Sequence, residues 1–334
     1  MKRLLVVLLL VSILLTGCSA GQKQPEKKQY NASFLTLFDT LTTVVGKADS
    51  EESFRATAQT IHDSLLEYHQ LFDIYEDYEG IANLKTINDS AADAPVKTEK
   101  AVIDLLLDCK AYYTLTGGKV NAAMGSVLTL WHEARSASLD APQSAYLPDA
   151  AALQEAAKHT SWDAIIINEE ACTVYISDPL TRLDVGAIAK GWAAEQAAED
   201  APEGLLINLG GNVRATGAKD ENGTPWKVGI QNPRGEDYLH ILSLTQGSAV
   251  TSGDYQRTYT VDGKAYHHII NPDTGYPAEF WSSVTIVCED SALADALSTA
   301  LFLMTSEEAM AFAKDHHFRA IVIDHDGKVW DSEK

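Results

Sequence analysis

The stretch Leu205–Leu244 reads LLINLGGNVRATGAKDENGTPWKVGIQNPRGEDYLHILSL and carries the clearest signal of the fold. It holds apolar runs at Leu205–Leu209, Trp226–Ile230 and Leu239–Leu244, and the residues between them are rich in Gly, Pro and Asn. Short apolar runs bounded by such turns are typical of β-strands. Because these strands cluster instead of alternating with helices, the stretch favours a mixed α+β fold over a doubly wound parallel sheet.

Further strands and helices are predicted on both sides of this stretch. Apolar residues at helical spacing predict helices over Glu51–His69, Glu99–Thr116, Asp149–His159, Gly186–Glu199, Ala292–Met304 and Ser306–His316. Apolar, β-branched runs predict strands over Phe34–Val45, Ala164–Asn168, Thr173–Ser177, Ala265–Ile270, Ser283–Cys288, Arg319–Asp324 and Lys328–Trp330. The sequence contains no repeat and no internal linker. We therefore expect residues 31–334 to form one domain with clustered antiparallel strands and flanking helices.

The N-terminus has the pattern of an exported lipoprotein. Lys2 and Arg3 precede an apolar run, Leu4–Leu15, which is too short to span a bilayer as a mature helix. The run ends in Leu15-Thr16-Gly17-Cys18, which resembles a lipobox. We predict a signal peptide over residues 1–17, lipidation of Cys18 and a polar tether over residues 18–30. The alternative is an ordinary cleaved signal with a chance cysteine.

The net charge of −21 limits the possible ligands. An acidic surface repels nucleic acid, so we expect no DNA or RNA partner. The same charge would repel a diphosphate unless a cation, a lysine or a helix N-terminus compensates for it locally. If Cys18 is lipidated, Cys109, Cys172 and Cys288 remain, and their spacing fits neither a disulfide framework nor a zinc site.

A first candidate site is Asp184-Val185-Gly186-Ala187-Ile188-Ala189-Lys190-Gly191, where a strand-like run meets a predicted helix start. Gly186 would let the backbone approach a ligand closely, and free N–H groups at a helix start attract anions. Lys190 lies one turn further on and could contact a phosphate. In the simpler alternative, Asp184 only caps the helix and Lys190 is a surface lysine.

A second candidate is Asp295-Ala296-Leu297-Ser298-Thr299, in which Asp295, Ser298 and Thr299 share one helix face. Ligands that are all oxygen suit a hard cation such as Mg²⁺. The flanking residues are apolar, so this helix should be buried, and a buried carboxylate needs a partner that a metal would supply. The alternative is a helix that simply turns polar residues toward solvent.

A third candidate is the segment Tyr266–Gly275, which reads YHHIINPDTG. Strand alternation would place His268 and Ile270 on one face and His267 on the other. A histidine with a near-neutral pKa can take a proton from an attacking hydroxyl. Opposite faces argue against a transition-metal site made by the two histidines, and a purely structural histidine is the remaining alternative.

Two small-residue turns, Leu209–Asn212 and Thr251–Tyr255, are weak signals alone. Taken together and in this order, the five segments resemble the ApbE family of FAD:protein FMN transferases. The resemblance runs from about Phe34 to Trp330. Two departures from the family pattern are Phe38-Asp39, where the family has Met-Gly, and Asn121, where an Asp is common.

The resemblance implies a metal site, a substrate and a base. Mg²⁺ would be held by Asp295, Thr299 and the carbonyl of Ala187, with Ser298 contributing in some members. His268 would be the general base. The residues implied to contact FAD are Phe38, Tyr75, Gly118, Lys119, Val120, Asp184, Lys190 and Ile270.

The implied activity cuts FAD, attaches the FMN half to a Ser or Thr hydroxyl of an exported flavoprotein and releases AMP. The acceptor would carry a short motif of the type Asp-x-x-Ser/Thr-Gly-Ala-Ser/Thr. With a lipid on Cys18, the enzyme would be anchored to the cell membrane and face the extracytoplasmic side. One alternative is a hydrolase of the same fold that releases free FMN and AMP. Another is a non-catalytic lipoprotein that binds flavin for uptake.

Overall fold

The computed structural model describes residues 27–35 and 37–333. The predicted signal peptide and the predicted lipidation site at Cys18 lie outside these ranges, as does most of the predicted tether. The first strand begins at Lys28, so residues 28–30, which were predicted as tether, belong to the folded domain. Within the described ranges, no helix has both the length and the apolar character needed to cross a membrane.

The described part of the chain contains eight α-helices and fifteen strands. The helices are α1 (Glu51–Phe72), α2 (Leu84–Ser90), α3 (Lys100–Leu115), α4 (Gly125–Asp140), α5 (Ala150–Ala156), α6 (Ala189–Glu199), α7 (Ser291–Phe302) and α8 (Ser306–Asp315). The strands are β1 (Lys28–Phe34), β2 (Thr42–Ala48), β3 (Val96–Lys97), β4 (Ile165–Asn168), β5 (Thr173–Ile176), β6 (Leu205–Leu209), β7 (Asn212–Ala215), β8 (Trp226–Gln231), β9 (Tyr238–Leu244), β10 (Gly247–Gly253), β11 (Tyr259–Val261), β12 (Lys264–Tyr266), β13 (Ser283–Cys288), β14 (Arg319–Ile323) and β15 (Val329–Asp331).

Eight of the strands form one sheet in the order β1-β2-β6-β7-β10-β13-β14-β15. Every neighbouring pair in this sheet is antiparallel. The small sheets β3-β5-β4, β8-β9 and β11-β12 hold the remaining strands. The stretch Leu205–Leu244 supplies β6 and β7 to the large sheet, and β8 and β9 form a separate pair. The prediction of a mixed α+β fold with clustered antiparallel strands is confirmed.

Helices α6 and α7 pack closely against each other, and both contact the large sheet. A methyl group at Gly191 of α6 would collide with the carbonyl of Ser291 in α7, so glycine is what permits this approach. The buried carboxylate of Glu195 accepts hydrogen bonds of 2.7 Å from Arg214 Nη2 and from the Ser291 N–H. The two segments predicted to carry chemistry are therefore held side by side.

One predicted strand, Phe34–Val45, is wrong as a single element. The chain instead leaves β1 at Phe34, passes through a 3₁₀ turn at Leu37–Asp39 and enters β2. Within the turn, Phe38 and Asp39 have φ values of 51° and 54°, in the left-handed region. Neither residue is a glycine, so the composition did not reveal the reversal.

Two further boundaries near the site differ from the predictions. Helix α6 begins at Ala189 rather than Gly186, because the preceding residues form a separate turn. The predicted strand Ala265–Ile270 ends at Tyr266, so strand alternation does not govern the two histidines that follow. Helices α2 and α4 were not predicted, and α4 contributes to the site described next.

Candidate active site

One cavity gathers most of the residues singled out from the sequence. Its volume is about 1180 Å³ when the open solvent at its mouth is included. The predicted site residues that line it are Tyr75, Lys119, Val120, Asp184, Ala187, Lys190, His268, Ile270, Asp295 and Thr299. They come from segments far apart in sequence, so the fold has assembled them.

Phe38 and Gly118 do not line the cavity, although both lie next to residues that do. The Phe38 carbonyl accepts a hydrogen bond of 3.2 Å from Nη2 of Arg257, which lines the cavity. The Phe38 ring packs against His69. Gly118 precedes Lys119 and has a φ of 85°, which a side chain would strain.

Ser298 is also outside the cavity, which differs from its predicted place in the metal site. The side chain is fully buried. Its hydroxyl donates to the Asp295 carbonyl over 2.9 Å and lies 2.8 Å from Ser252 Oγ. These contacts occupy the hydroxyl inside the protein. Thr299, one residue further along α7, does line the cavity.

The Asp295 side chain is buried in the cavity wall, with 3 % of the residue exposed. Its Oδ2 accepts a hydrogen bond of 2.8 Å from the Gly191 N–H and lies 3.6 Å from Lys190 Nζ. Burial raises the pKa of Asp295, and the positive charge of Lys190 and the Gly191 amide oppose that rise. The Asn212 side chain opposes the rise as well, but burial prevails, so additional positive charge beside this carboxylate is favourable.

The backbone near Ala187 supplies a second oxygen to this region. In a regular helix the Gly191 N–H would donate to the Ala187 carbonyl, but here it donates to Asp295 instead. No other backbone N–H in the described residues takes its place, so the carbonyl stays available. A carboxylate, a hydroxyl from Thr299 and a free carbonyl form an oxygen donor set that fits Mg²⁺.

This donor set contains few charges. Within residues 27–35 and 37–333, no group of three or more His, Cys, Asp or Glu side chains is placed to hold a metal. Mg²⁺ commonly binds through one or two carboxylates and completes its shell with water and substrate phosphates. The residues present therefore fit Mg²⁺ as an ion shared with a phosphate-bearing substrate.

Asp184 caps a turn and not the start of a helix, which corrects the structural part of the first candidate site. Its Oδ1 accepts a hydrogen bond of 2.8 Å from the Gly186 N–H, and the residue before α6 is Ile188. Burial raises the pKa of Asp184, while the Gly186 N–H and the nearby charge of Arg257 oppose the rise. The cavity thus holds a second carboxyl group besides Asp295, and this one is half-buried.

His268 lies in the same cavity, in the loop after β12. Its Nδ1 is 3.2 Å from the carbonyl oxygen of Gln256. A carbonyl can only accept, so we assign the proton to Nδ1, which leaves the lone pair on Nε2. His267 makes a different contact, with Nε2 2.8 Å from the Ala278 carbonyl. The two histidines therefore have separate environments, and His268 has a nitrogen free to accept a proton.

The surroundings of His268 keep its imidazole neutral. Loss of solvent inside the cavity lowers the pKa of His268, and the positive charges of Arg257 and Lys190 lower it further. His268 is nonetheless an exposed residue, so solvent screens part of this effect. A neutral histidine with a free Nε2 is suited to act as a general base.

The cavity wall also includes residues that the sequence analysis missed. Most come from α4 and the residue just before it, namely Met124, Leu128, Trp131, His132 and Arg135. The spacing of Met124, Leu128 and Trp131 is that of one helix face and could have predicted this helix. Arg257, in the loop after β10, is the other missed charged residue.

Comparisons with known proteins place the chain in a family. The model of the ApbE family matches residues 38–322. An FAD:protein FMN transferase of Klebsiella pneumoniae is 33 % identical over 253 residues, covering 72 % of this chain and 76 % of that protein. One of Treponema pallidum is 33 % identical over 251 residues, covering 70 % and 67 %. The crystal structure of an ApbE protein of Thermotoga maritima superimposes with a TM-score of 0.81 at 28 % identity, covering 92 % of this chain and 97 % of that one. The chain therefore belongs to the ApbE family.

Proposed function

We propose that this protein transfers the FMN half of FAD to a Ser or Thr hydroxyl of another protein and releases AMP. Membership of the ApbE family and relatives that bear the name FAD:protein FMN transferase support the flavin transfer. The observation that carries the proposal for this chain is that His268, Lys190 and Asp295 open into a single cavity. A base, a positive charge and a cation site are the groups that phosphoryl transfer requires.

Mg²⁺ is part of the proposal, with Asp295, Thr299 and the Ala187 carbonyl as its protein ligands. When bound, the ion would neutralise diphosphate charge and polarise the phosphoryl group. The supporting observations are the undercompensated carboxylate of Asp295 and the carbonyl that no backbone N–H occupies. Ser298 is left out of this set because its hydroxyl is bonded within the protein.

His268 activates the acceptor in this proposal. The acceptor hydroxyl gives its proton to His268 Nε2, and its oxygen forms a bond to the phosphorus nearest riboflavin. The bond between that phosphorus and the bridging oxygen breaks, and the electron pair leaves on AMP. The Gln256 carbonyl holds the Nδ1 proton, which fixes the tautomer and directs Nε2 toward the reaction.

Lys190 lies where it can reach a phosphate. Its Nζ is 3.4 Å from the Gly186 carbonyl and 3.6 Å from Asp295 Oδ2, so the ammonium sits between the two candidate metal segments. In a molecule with a net charge of −21, a diphosphate enters the cavity only if such local positive charge outweighs the overall field. Lys190 therefore supports binding of FAD on the protein side of the site.

The products distinguish transfer from hydrolysis. The purified protein is incubated with FAD, Mg²⁺ and a flavoprotein that carries the Asp-x-x-Ser/Thr-Gly-Ala-Ser/Thr motif, and AMP and free FMN are quantified. Transfer predicts AMP without an equal amount of free FMN. Equal amounts of both, whether or not the acceptor is present, would replace the proposal with an FAD hydrolase. Binding of FAD with no AMP would favour the non-catalytic flavin-binding lipoprotein.

We also propose that the protein acts outside the cytoplasm, anchored through a lipid on Cys18. The support is the sequence alone, namely the apolar run Leu4–Leu15 and the cysteine that follows it. A Cys18→Ala variant should move from the membrane fraction to the soluble fraction and lose incorporation of labelled fatty acid. Unchanged membrane association of this variant would contradict lipid anchoring.

A further inference from the structure

Four cationic side chains line the cavity, and they differ in how their charge is compensated. The two lysines have carboxylate partners, because Lys119 Nζ lies 2.7 Å from Asp273 and Lys190 Nζ lies 3.6 Å from Asp295. The other two are Arg135 and Arg257. Of these two, Arg135 has no carboxylate partner among the described residues, and the carboxylate nearest Arg257 is 4.0 Å away on the exposed Asp39.

Arg135, on α4, is half-buried and makes no hydrogen bond or ion pair with any other residue that the structure describes. Burial lowers the pKa of Arg135, and the charge of Arg257 lowers it further. A guanidinium stays protonated in proteins even so. A partly buried charge without a partner is costly, and an anionic ligand would remove that cost.

Arg257 is held in an unusual position. Its φ is 46°, in the left-handed region that a residue with a side chain seldom adopts. Its Nη2 donates to the Phe38 carbonyl over 3.2 Å, and its nearest carboxylate, on the exposed Asp39, is 4.0 Å away. Backbone strain of this kind costs free energy and tends to persist where a side chain is needed for function.

The charge of Arg257 reaches both candidate reactive groups. It lowers the pKa of His268 and also that of Asp184, opposing the effect of burial on the latter. Arg135 and Arg257 act on each other and on His132, whose pKa is lowered by burial and by both arginines. The arginine pair thus forms one electrostatic unit that adjoins the reacting region and is separate from the Lys190–Asp295 pair.

We propose that Arg135 and Arg257 form a phosphate subsite that binds the diphosphate of FAD, an inference that rests on the proposed function. A diphosphate diester carries two negative charges, which match the unpartnered guanidinium of Arg135 and the weakly paired guanidinium of Arg257. Arginine binds phosphate oxygens through paired N–H donors, and such charged hydrogen bonds are among the stronger ones in proteins. Because Arg257 also acts on His268, it is the member of the pair that should affect turnover as well as binding.

The test compares ligands that differ in phosphate. Dissociation constants for FAD and riboflavin are measured by flavin fluorescence for the wild type, Arg135→Met, Arg257→Met and the matched control Arg55→Met. Arg55 is exposed on α1, does not line the cavity and pairs with Glu51. Loss of a charged hydrogen bond predicts that each cavity variant binds FAD about 10- to 100-fold more weakly, while riboflavin changes by less than about twofold. Lys at either position should restore part of the loss.

The outcomes separate this subsite from the proposed function. An FAD affinity unchanged in Arg135→Met and Arg257→Met would overturn the subsite, and an equal loss for riboflavin would do the same. Unchanged FAD affinity with a raised KM for the acceptor protein would assign the arginines to an acceptor carboxylate instead. Arg135 has no partner to lose on substitution, so its variant should fold even if Arg257→Met does not. Failure of the wild type to transfer FMN would refute the proposed function. The dissociation constants can still be measured in that case, because they do not depend on turnover.

Discussion

The backbone N–H of Gly191 in α6 donates a 2.8 Å hydrogen bond to Oδ2 of Asp295 in α7. This bond fixes the one carboxylate of the candidate metal site and at the same time leaves the Ala187 carbonyl without its helical donor. The contact is possible because Gly191 has no Cβ, and a Cβ at this position would collide with the Ser291 carbonyl. The packing of the two helices therefore positions the carboxylate and frees the carbonyl, which are two of the three oxygen groups in the candidate donor set.

Gly191→Ala should damage stability and activity together. The added methyl forces α6 and α7 apart, which we expect to lower the free energy of unfolding by about 1–3 kcal/mol. The shift moves Asp295 and Thr299, which both lie on α7, away from the Ala187 carbonyl, so the Mg²⁺ concentration for half-maximal AMP release should rise. Urea unfolding and a Mg²⁺ titration measure the two effects. Gln196→Ala, on the same helix, is the control, and equal behaviour of both variants would refute the packing argument.

Asp295→Asn should separate stability from activity. The amide retains an oxygen that can accept the Gly191 N–H. Because burial raises the pKa of Asp295 in spite of Lys190, the charged form is disfavoured in the fold, so removing the charge should leave the free energy of unfolding the same or increase it. The candidate cation loses its only carboxylate from α7, so AMP release should fall by at least about 100-fold at saturating FAD. Thermal unfolding and AMP release are measured on the same sample. Mg²⁺-dependent AMP release at the wild-type rate would show that the metal ligands are assigned wrongly.

The pH dependence of turnover should reflect a histidine with a lowered pKa. Solvent exclusion and the charges of Arg257 and Lys190 favour the neutral form of His268. Its base function should therefore persist below the ordinary histidine pKa of about 6.5. We expect kcat to be constant from neutral pH down to that value and to fall only in more acidic solution. His268→Asn should reduce kcat by roughly 10²–10⁴-fold and abolish that fall. A midpoint at or above pH 6.5 would contradict the assignment.

The same shift has a consequence for stability. An unfolded chain binds a proton on His268 near its ordinary pKa, whereas the folded protein does so only at lower pH. The contribution of His268 to the free energy of unfolding is therefore complete above about pH 6.5 and is lost as the pH falls toward the folded-state pKa. Comparing urea unfolding of the wild type and His268→Asn across this range measures it, and parallel curves would contradict the lowered pKa.

Asp39 should tolerate glycine but not a β-branched residue. Its φ of 54° lies in the left-handed region, where glycine has no steric penalty and aspartate a moderate one. Asp39→Gly should leave the free energy of unfolding equal or slightly higher, and Asp39→Val should lower it by about 1–3 kcal/mol. Urea unfolding of both variants is the measurement. If valine is tolerated as well as glycine, the turn does not impose this conformation in solution.

The parts of the site that the sequence could predict are those with strong local patterns. Asp295 and Thr299 share a helix face by spacing alone, and the surrounding apolar residues correctly indicated that α7 is buried. The fold class likewise followed from the clustered strands. The wrong prediction that a helix begins at Gly186 arose because a turn capped by the Asp184 side chain resembles a helix start.

What the sequence could not predict depends on contacts distant along the chain. Helix α4 begins after Met124 without a side-chain cap, so the usual start signal is missing. Arg135 therefore did not belong to any predicted element. Arg257 itself adopts a left-handed backbone conformation, which nothing in the local composition indicates. The tautomer of His268 is set by the carbonyl of Gln256, which lies twelve residues away along the chain. Strand alternation could not predict this contact, because the strand ends at Tyr266, before the histidine.

The most direct test of the central claim is the intact mass of a motif-bearing acceptor flavoprotein after incubation with this protein, FAD and Mg²⁺. The proposed reaction predicts a mass gain of one FMN less one water, which disappears when the motif's acceptor Ser or Thr is replaced by Ala. An acceptor that keeps its original mass, while the wild-type protein binds FAD and Mg²⁺ is in excess, would contradict the proposed function.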